Sequence, residues 1–298
     1  MAYTSNRILV LILIAVVGPQ AAGQSPTAVR PVEQLASDPE AQQPEVAAVK
    51  PLPPPLQRAH AHNDYAHERP LMDALDQGFC SVEADIFLVD GELQVGHTRF
   101  ELRRGRTLES LYLRPLLERV RKNKKTHGVA SVFKKHFPFT LLVDFKNEAE
   151  PTYRVLSKLL ESYREMLTEF RDGEVIDRAV QIVLSGNRPT ELLSDEKQRY
   201  AFIDGRLSDL GKEIPAQLMP LISDRWSSHF KWRGRGEMPA AEREKLHDIA
   251  KQTHASGKRL RFWATPETQA MWGELNAAGV DHINTDKLAQ LAEFLSTN

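Results

Sequence analysis

Two histidines in this sequence have the type and spacing that acid–base chemistry needs. His62 closes a His-x-His segment, and His97 follows a short, mostly apolar run. An imidazole titrates near neutral pH, so one member of a pair can remove a proton from an attacking hydroxyl while the other protonates a leaving alkoxide. The pair therefore predicts general acid–base catalysis.

Three carboxylates lie in two apolar segments that resemble β-strands. Strand alternation places Glu83 and Asp85 on one face, and Asp144 points the same way near the end of the next such segment. Carboxylates crowded together repel one another, and a hard divalent cation, Mg²⁺ or Ca²⁺, is the simplest partner that keeps them ionised. A structural network of salt bridges with basic neighbours is the alternative.

Further polar and aromatic residues at strand ends are candidates for contact with a substrate. Lys146 shares the strand face of Asp144, where its ammonium can stabilise the charge of a five-coordinate transition state. Trp263 points inward near the end of its strand, either as part of the site or as barrel core. We predict substrate binding for His60, Asn63, Trp263 and Asn284.

The elements that must position these residues are short apolar segments alternating with helical patterns, which is typical of repeated βα units. The predicted strands are 57–62, 81–88, 139–146, 179–185, 200–204, 219–223, 259–264 and 280–284. A helix is predicted over 153–170, where apolar residues recur at helical spacing. This pattern predicts a single (β/α)8 barrel, an α/β fold of parallel strands with its chemistry at their C-terminal ends.

Composition and the N-terminal segments suggest the setting. The 298-residue chain has a formal net charge of −1, so no overall field attracts nucleic acid or an anionic membrane surface, which leaves only local basic clusters. Residues 1–23 combine a basic residue, an apolar run and small residues, which predicts a signal peptide and a secreted or periplasmic protein without a transmembrane segment after cleavage. The proline-rich segment 24–55 predicts a disordered linker, which leaves 56–298 as the catalytic domain.

The segment 227–237, with the preceding Trp226, mixes aromatic residues with Lys231, Arg233 and Arg235. Such a mixture predicts either a peripheral contact with a lipid interface or headgroup, or a loop packed over the barrel mouth. The residues alone do not choose between these two arrangements.

Several segments carry a resemblance to a known family: His60-Ala-His-Asn-Asp-Tyr65, Arg69-Pro-Leu, Ser81-Val-Glu-Ala-Asp85, Val95-Gly-His97, Thr107-Leu-Glu-Ser-Leu-Tyr112 and Asp144-Phe-Lys146. Together they resemble the PLC-like phosphodiesterase superfamily, which includes glycerophosphodiester phosphodiesterases and sphingomyelinase D. Within it they are most similar to the altered-inheritance-of-mitochondria proteins.

The resemblance implies a metal-dependent phosphodiesterase that acts on a small phosphodiester or a phospholipid headgroup. It implies these roles: acid–base catalysis by His62 and His97, binding of one Mg²⁺ or Ca²⁺ by Glu83, Asp85 and Asp144, and contact with the substrate phosphate by Lys146, Trp263 and Asn284. Asn63 and Thr98 stand where glycerophosphodiesterases usually carry arginine and aspartate. The headgroup therefore stays open, as does the choice between hydrolysis and a cyclising transfer.

Two other functions fit parts of the pattern. A His-x-His pair closing the first strand is also typical of zinc amidohydrolase barrels, although residues 179–228 contain no histidine to complete such a site. A protein that binds a phosphate or lipid headgroup without turnover is the other possibility, because a fold does not guarantee an activity.

Overall fold

The structure is a computed structural model that describes residues 53–297. The predicted signal peptide, 1–23, lies outside the described residues, as does the predicted linker, 24–55, except for its last three residues. The first strand begins at Leu56, at the start of the predicted catalytic domain. No helix within residues 53–297 is both long and apolar enough to span a bilayer.

Eight parallel strands close into a barrel. They are β1 (Leu56–Ala61), β2 (Phe79–Val89), β3 (Phe139–Phe145), β4 (Val180–Gly186), β5 (Ala201–Gly205), β6 (Leu221–Arg225), β7 (Arg259–Trp263) and β8 (His282–Thr285). Each strand pairs with the next along the chain, and β8 pairs with β1 to close the ring. The predicted (β/α)8 fold is confirmed, and every predicted strand overlaps an observed one.

Helices lie between the strands and cover the outside of the barrel. They are α1 (Met72–Asp76), α2 (Arg114–His127), α3 (Ala149–Glu161), α4 (Thr190–Asp195), α5 (Trp226–His229), α6 (Ala240–Ala255), α7 (Gln269–Ala277) and α8 (Leu288–Thr297). Short 3₁₀ turns occupy Asp64–Ala66, Arg99–Glu101 and Leu207–Asp209, and a π-helical turn, Glu109–Leu113, precedes α2.

The predicted helix over 153–170 is too long. The helix α3 ends at Glu161, and Phe170 lies in a short strand, Glu169–Arg171. Tyr163 and Leu167 stay buried after the helix has ended, so the apolar spacing continues where the helical backbone does not.

Two small antiparallel units accompany the barrel. The strand Glu92–Val95 pairs with the end of β2 and returns the chain to His97. The strands Glu169–Arg171, Glu174–Ile176 and Gln198–Arg199 form a separate sheet. Phe170 of that sheet packs against the apolar part of the barrel interior.

The barrel interior holds an apolar cluster on one side, where buried polar residues such as Asp204 and Ser223 also lie, and it is polar on the other side. Strands β3 to β6 contribute a buried apolar cluster: Leu142, Val183, Phe202 and Leu221. The inward positions of the other strands carry buried polar residues: His60, Ser81, Glu83, Arg261, His282 and Asn284. Because buried polar groups need partners, hydrogen bonds must hold this second side together, and those bonds reach the site described next.

Candidate active site

A cavity of about 320 Å³ lies at the C-terminal ends of the barrel strands. It brings together eight residues singled out from the sequence: His62, Asn63, Glu83, Asp85, His97, Asp144, Lys146 and Trp263. Four further residues complete its lining: Ser185, Gly186, Arg206 and Arg261. The inward faces of parallel strands meet at this end of a barrel, which explains the convergence.

The structure does not bring His60 or Asn284 to the cavity. His60 is 1% exposed, with Nδ1 2.7 Å from Ser81 Oγ and Nε2 3.3 Å from Glu83 Oε2. Burial, followed by the charge of Arg261, lowers the pKa of His60 to about 3, so the ring is neutral. Asn284 is also buried, and its side-chain oxygen accepts a hydrogen bond of 2.8 Å from Arg261 Nε. Both residues bond to residues of the cavity wall, Glu83 and Arg261, without lining the cavity, and their contact with substrate stays a prediction.

His62 and His97 each bind a carboxylate through Nδ1. His62 Nδ1 lies 2.9 Å from Asp286 Oδ1, and His97 Nδ1 lies 2.9 Å from Asp85 Oδ2. When Nδ1 donates to a carboxylate, Nε2 remains for proton transfer. Burial lowers the pKa of His62, but the hydrogen bond to Asp286 and the charge of Glu83 outweigh it, and the pKa is raised overall.

Asp85 lies at the centre of the contacts in this cavity. Besides His97, its Oδ2 contacts Lys146 Nζ at 2.8 Å and accepts a hydrogen bond of 2.7 Å from the Tyr65 hydroxyl. Its Oδ1 is buried and has no partner. Burial, and then the charge of Glu83, raises the pKa of Asp85 against the attraction of Lys146.

Basic side chains lie against each of the three carboxylates. Lys146 Nζ is 2.8 Å from Asp85 and 2.9 Å from Asp144, and Arg261 bonds directly to Glu83. Burial opposes the charge of Lys146, but its two carboxylate partners outweigh burial and raise its pKa. Burial likewise opposes the charge of Glu83, and Arg261 outweighs it, so the pKa of Glu83 is lowered.

The carboxylates suit a hard divalent cation by donor type, because Mg²⁺ and Ca²⁺ prefer oxygen ligands. The unpartnered Oδ1 of Asp85 supports this, since a buried carboxylate oxygen normally has a partner. As arranged, however, no group of three or more histidine, cysteine, aspartate or glutamate side chains within residues 53–297 is poised to hold a metal ion. The three carboxylates therefore form salt bridges with Lys146 and Arg261, as the alternative interpretation predicts, and a cation would have to bind in addition to these bridges.

The His-x-His segment is not arranged as a pair of zinc ligands. His60 contacts Ser81 and Glu83, whereas His62 contacts Asp286 and lines the cavity. The His-x-His segment therefore does not favour a zinc amidohydrolase.

Sequence reasoning missed Ser185, Gly186, Arg206 and Arg261 of the cavity lining, and Tyr65 beside it. Arg261 could have been found, because strand alternation from the inward Trp263 puts it on the same face. Arg206 follows β5, and its NH1 lies 2.9 Å from Asp204 Oδ2; no pattern marked it. Tyr65 belongs to the first motif, but its hydroxyl reaches the cavity residues only through the fold of the turn after β1.

The segment 227–237, with the preceding Trp226, forms a packed loop over the barrel mouth. Trp226, Phe230 and Trp232 are all buried, and the rings of Trp226 and Phe230 stack at 4.1 Å between centroids. Lys231 and Arg233, on either side of Trp232, stay exposed. The aromatic residues therefore belong to the core, whereas the basic residues of this loop face solvent together with Ser227, Ser228 and Glu237.

Comparisons with known proteins identify relatives of this chain. Residues 52–204 match the model of the AIM6-like phosphodiesterase domain, and residues 259–289 match that of the glycerophosphoryl diester phosphodiesterase family. Altered inheritance of mitochondria protein 6 of Saccharomyces cerevisiae is 30% identical over 83% of this chain and 72% of its own length. The protein of that name from Eremothecium gossypii is 29% identical over 81% of this chain and 70% of its own length.

Two solved structures are more distant. A glycerophosphodiester phosphodiesterase from Parabacteroides distasonis has a TM-score of 0.48 at 13% identity, covering 82% of this chain and 99% of its own. A calcium-dependent phosphoinositol-specific phospholipase C from Pseudomonas has a TM-score of 0.49 at 12% identity, covering 79% and 92%. At this level of similarity, neither activity is transferred to this chain.

The prediction of a secreted or periplasmic location is wrong. The relatives are named for the altered inheritance of mitochondria, which implies a mitochondria-related role and not secretion. The prediction failed because a basic residue followed by an apolar run indicates a hydrophobic N-terminal segment. Such a segment does not specify the compartment to which a protein is sent.

Proposed function

Because this chain belongs to the family of the AIM6-like phosphodiesterase domain, we propose that it cleaves the phosphodiester of a glycerophosphodiester or a phospholipid headgroup. The observation that carries the proposal is a pair of carboxylate-bound imidazoles, His62 and His97, lining one cavity together with Lys146. Cleavage of a phosphodiester removes one proton from a nucleophile and adds one to a leaving group, which is the task of such a pair.

In the proposed reaction, Nε2 of His97 removes the proton of the attacking hydroxyl as its oxygen bonds to phosphorus. His62 starts protonated, because its contact with Asp286 favours the charged ring, and it donates that proton to the leaving alkoxide as the P–O bond breaks. Lys146 and Arg206 contribute positive charge that stabilises the five-coordinate transition state. The attacking hydroxyl belongs to water in a hydrolysis and to the substrate itself in a cyclising transfer.

We also propose that Glu83, Asp85 and Asp144 hold one Mg²⁺ or Ca²⁺ ion. Once bound, the ion would neutralise charge on the phosphate oxygens. Thermal unfolding measured against each ion tests binding without relying on turnover. We expect either ion to raise the melting temperature of the wild type and to have little effect on Asp144→Asn. If neither ion raises the melting temperature of the wild type, the proposed metal site is wrong.

Turnover of bis(p-nitrophenyl) phosphate and of a lysophospholipid, followed by phosphorus NMR with and without chelator, tests the activity. We expect His62→Ala and His97→Ala each to lose at least about a hundredfold in kcat/KM. His254→Ala is the control, because His254 binds Asp281 outside the cavity. Wild-type rates in His62→Ala would remove the basis of the proposal. Binding of the diester without turnover at any pH would indicate a headgroup-binding protein instead.

A further inference from the structure

Phe100 is the most exposed large apolar side chain within residues 53–297. It is 93% exposed, and Ile176 follows at 37%. Phe100 lies three residues after His97, in the loop that follows the strand Glu92–Val95. Single exposed apolar residues are ordinary on protein surfaces, so the surroundings of Phe100 must decide whether it has a role.

Those surroundings are basic. Arg99, Arg103 and Arg104 are exposed, and none of them forms an ion pair with a residue of the described chain. The acidic residue among them, Glu101, is occupied, because it accepts a hydrogen bond of 2.8 Å from the backbone N–H of His97. The loop thus presents an aromatic ring among guanidinium groups that have no carboxylate partner, although Arg103 also donates hydrogen bonds to the backbone oxygens of Phe100 and Leu102. The hydrogen bond of Glu101 ties the loop directly to His97, a residue of the cavity.

A second basic loop lies at the same end of the barrel. It begins at the last residue of β6, and four exposed cations there lack an ion-pair partner within residues 53–297: Arg225, Lys231, Arg233 and Arg235. Arg225 lies 5.6 Å from the ring of Trp263, which lines the cavity. The first loop follows the antiparallel strand Glu92–Val95 and the second begins at the end of β6. Each adjoins a residue that lines the cavity, His97 or Trp263, so unpaired positive charge lies beside the cavity although the chain has a net charge of −1.

We infer that this end of the barrel docks on an anionic lipid bilayer. Phe100 inserts at the headgroup level, and the arginines around it contact lipid phosphates, as aromatic and basic side chains do at membrane interfaces. A bilayer fits better than a protein partner, because the surface offers dispersed cations and a single ring without an apolar groove. The inference deepens the proposed function by naming the substrate as a lipid within a membrane, and in that respect it rests on it.

Co-sedimentation with phosphatidylcholine vesicles, with and without phosphatidylserine, tests the docking apart from catalysis. We expect the wild type to bind only the vesicles with phosphatidylserine, and to be released by added salt. Phe100→Ser and Arg104→Glu should each weaken binding about fivefold or more. Matched controls are Ile176→Ser, the other exposed apolar residue, and Lys124→Glu, an exposed cation on α2, and both should bind like the wild type. The inference is overturned if the wild type fails to bind, or if the loop variants bind as the controls do.

Turnover separates this inference from the proposed function. Phe100→Ser should cleave soluble bis(p-nitrophenyl) phosphate at the wild-type rate and a lipid presented in anionic vesicles about fivefold more slowly. An equal loss on both substrates would overturn the inference, because Phe100 would then act through the cavity. Vesicle binding without cleavage of any diester refutes the proposed function and leaves the docking intact. Cleavage of the soluble diester without vesicle binding refutes only the docking.

Discussion

Among single residues, Tyr65 contacts His97 and its partner Asp85, as well as Asn63, which contacts His62. Its hydroxyl lies 2.7 Å from Asp85 Oδ2, 2.7 Å from Asn63 Oδ1 and 3.3 Å from His97 Nδ1. Tyr65→Phe removes this hydroxyl and keeps the packed ring, so we expect kcat to fall about tenfold while KM changes little. Steady-state kinetics on a soluble diester measures both constants. Tyr163→Phe, outside the cavity, is the control, and equal rates in the two variants would exclude a positioning role for Tyr65.

A buried acid beside the same turn gives a prediction about pH and stability. Asp64 is fully buried, and its Oδ2 accepts hydrogen bonds from Leu71 N at 2.6 Å and the Tyr112 hydroxyl at 2.9 Å. Burial outweighs these bonds and raises the pKa of Asp64 from 3.8 to about 7. Between these values the folded state binds a proton that the unfolded state has lost. The stability that this proton contributes is therefore complete below pH 3.8 and disappears as the pH approaches 7.

Asp64→Asn removes this titration and keeps an oxygen acceptor. We expect the free energy of unfolding of the wild type, relative to the variant, to fall by up to about 4 kcal/mol from pH 4 to pH 7. Urea unfolding of both proteins across that range measures the difference. Parallel pH profiles would show that Asp64 is ionised throughout.

The site residues were predictable where strand alternation alone fixes the direction of a side chain. Glu83, Asp85 and Asp144 line the cavity for that reason. The depth of a residue depends instead on register between strands, which the sequence does not display. His60 pairs in register with Ser81 on one side and Asn284 on the other, so both His60 and Asn284 lie one layer below the cavity.

At the scale of elements, the strands were predictable because each is a short apolar run closed by polar residues. The end of α3 was not, since Tyr163 remains buried beyond it and preserves the helical spacing of apolar residues. The loop after β6 shows the same limit. Its aromatic composition suited a lipid contact as well as a packed loop, and only the tertiary contacts of Trp226 decide between them.

The end of β4 depends on a glycine for a close approach to β3. Gly186 has a φ of +67°, and a Cβ there would lie 2.5 Å from the Phe145 carbonyl oxygen and 2.7 Å from Asp144 Oδ1. We expect Gly186→Ala to destabilise the fold by roughly 3 kcal/mol and to lower turnover, because the new methyl group displaces Asp144. Thermal unfolding and turnover of a soluble diester measure the two effects.

A second glycine separates backbone strain from steric contact in that prediction. Gly91 has a φ of +81° and no atom within 4 Å of an added Cβ. Gly91→Ala should therefore lose only the roughly 1 kcal/mol of left-handed strain and keep its turnover. Equal losses in the two variants would mean that the contact with Asp144 has no consequence.

At the scale of the whole molecule, the closed barrel was predictable because eight βα units in one chain have few other arrangements. The distribution of polar and apolar residues inside the barrel was not predictable. The buried polar side depends on residues of β1, β2, β7 and β8 meeting across the barrel, and no segment of sequence shows which of them will touch. The bond between Glu83 and Arg261 is the clearest case, since it joins β2 to β7.

This pair gives a test of what the polar side contributes to folding. Glu83 is 6% exposed and Arg261 is 3% exposed, so removing one partner leaves the other as a buried charge. Arg261→Met should lower the free energy of unfolding by about 3–5 kcal/mol, whereas the double variant Arg261→Met/Glu83→Leu should recover most of that loss, because burying apolar groups needs no counter-charge. Urea unfolding of both single variants and the double variant gives the coupling energy.

The pH dependence of the single variant identifies the cause of its loss. Without Arg261, burial raises the pKa of Glu83 above its unfolded value, so the protonated carboxyl is tolerated at low pH and the variant loses stability as the pH rises. Additive losses at every pH would mean that the two residues act separately. Coupled losses that grow with pH would mean that the barrel keeps Glu83 ionised in the wall of the cavity only because Arg261 crosses the interior to meet it.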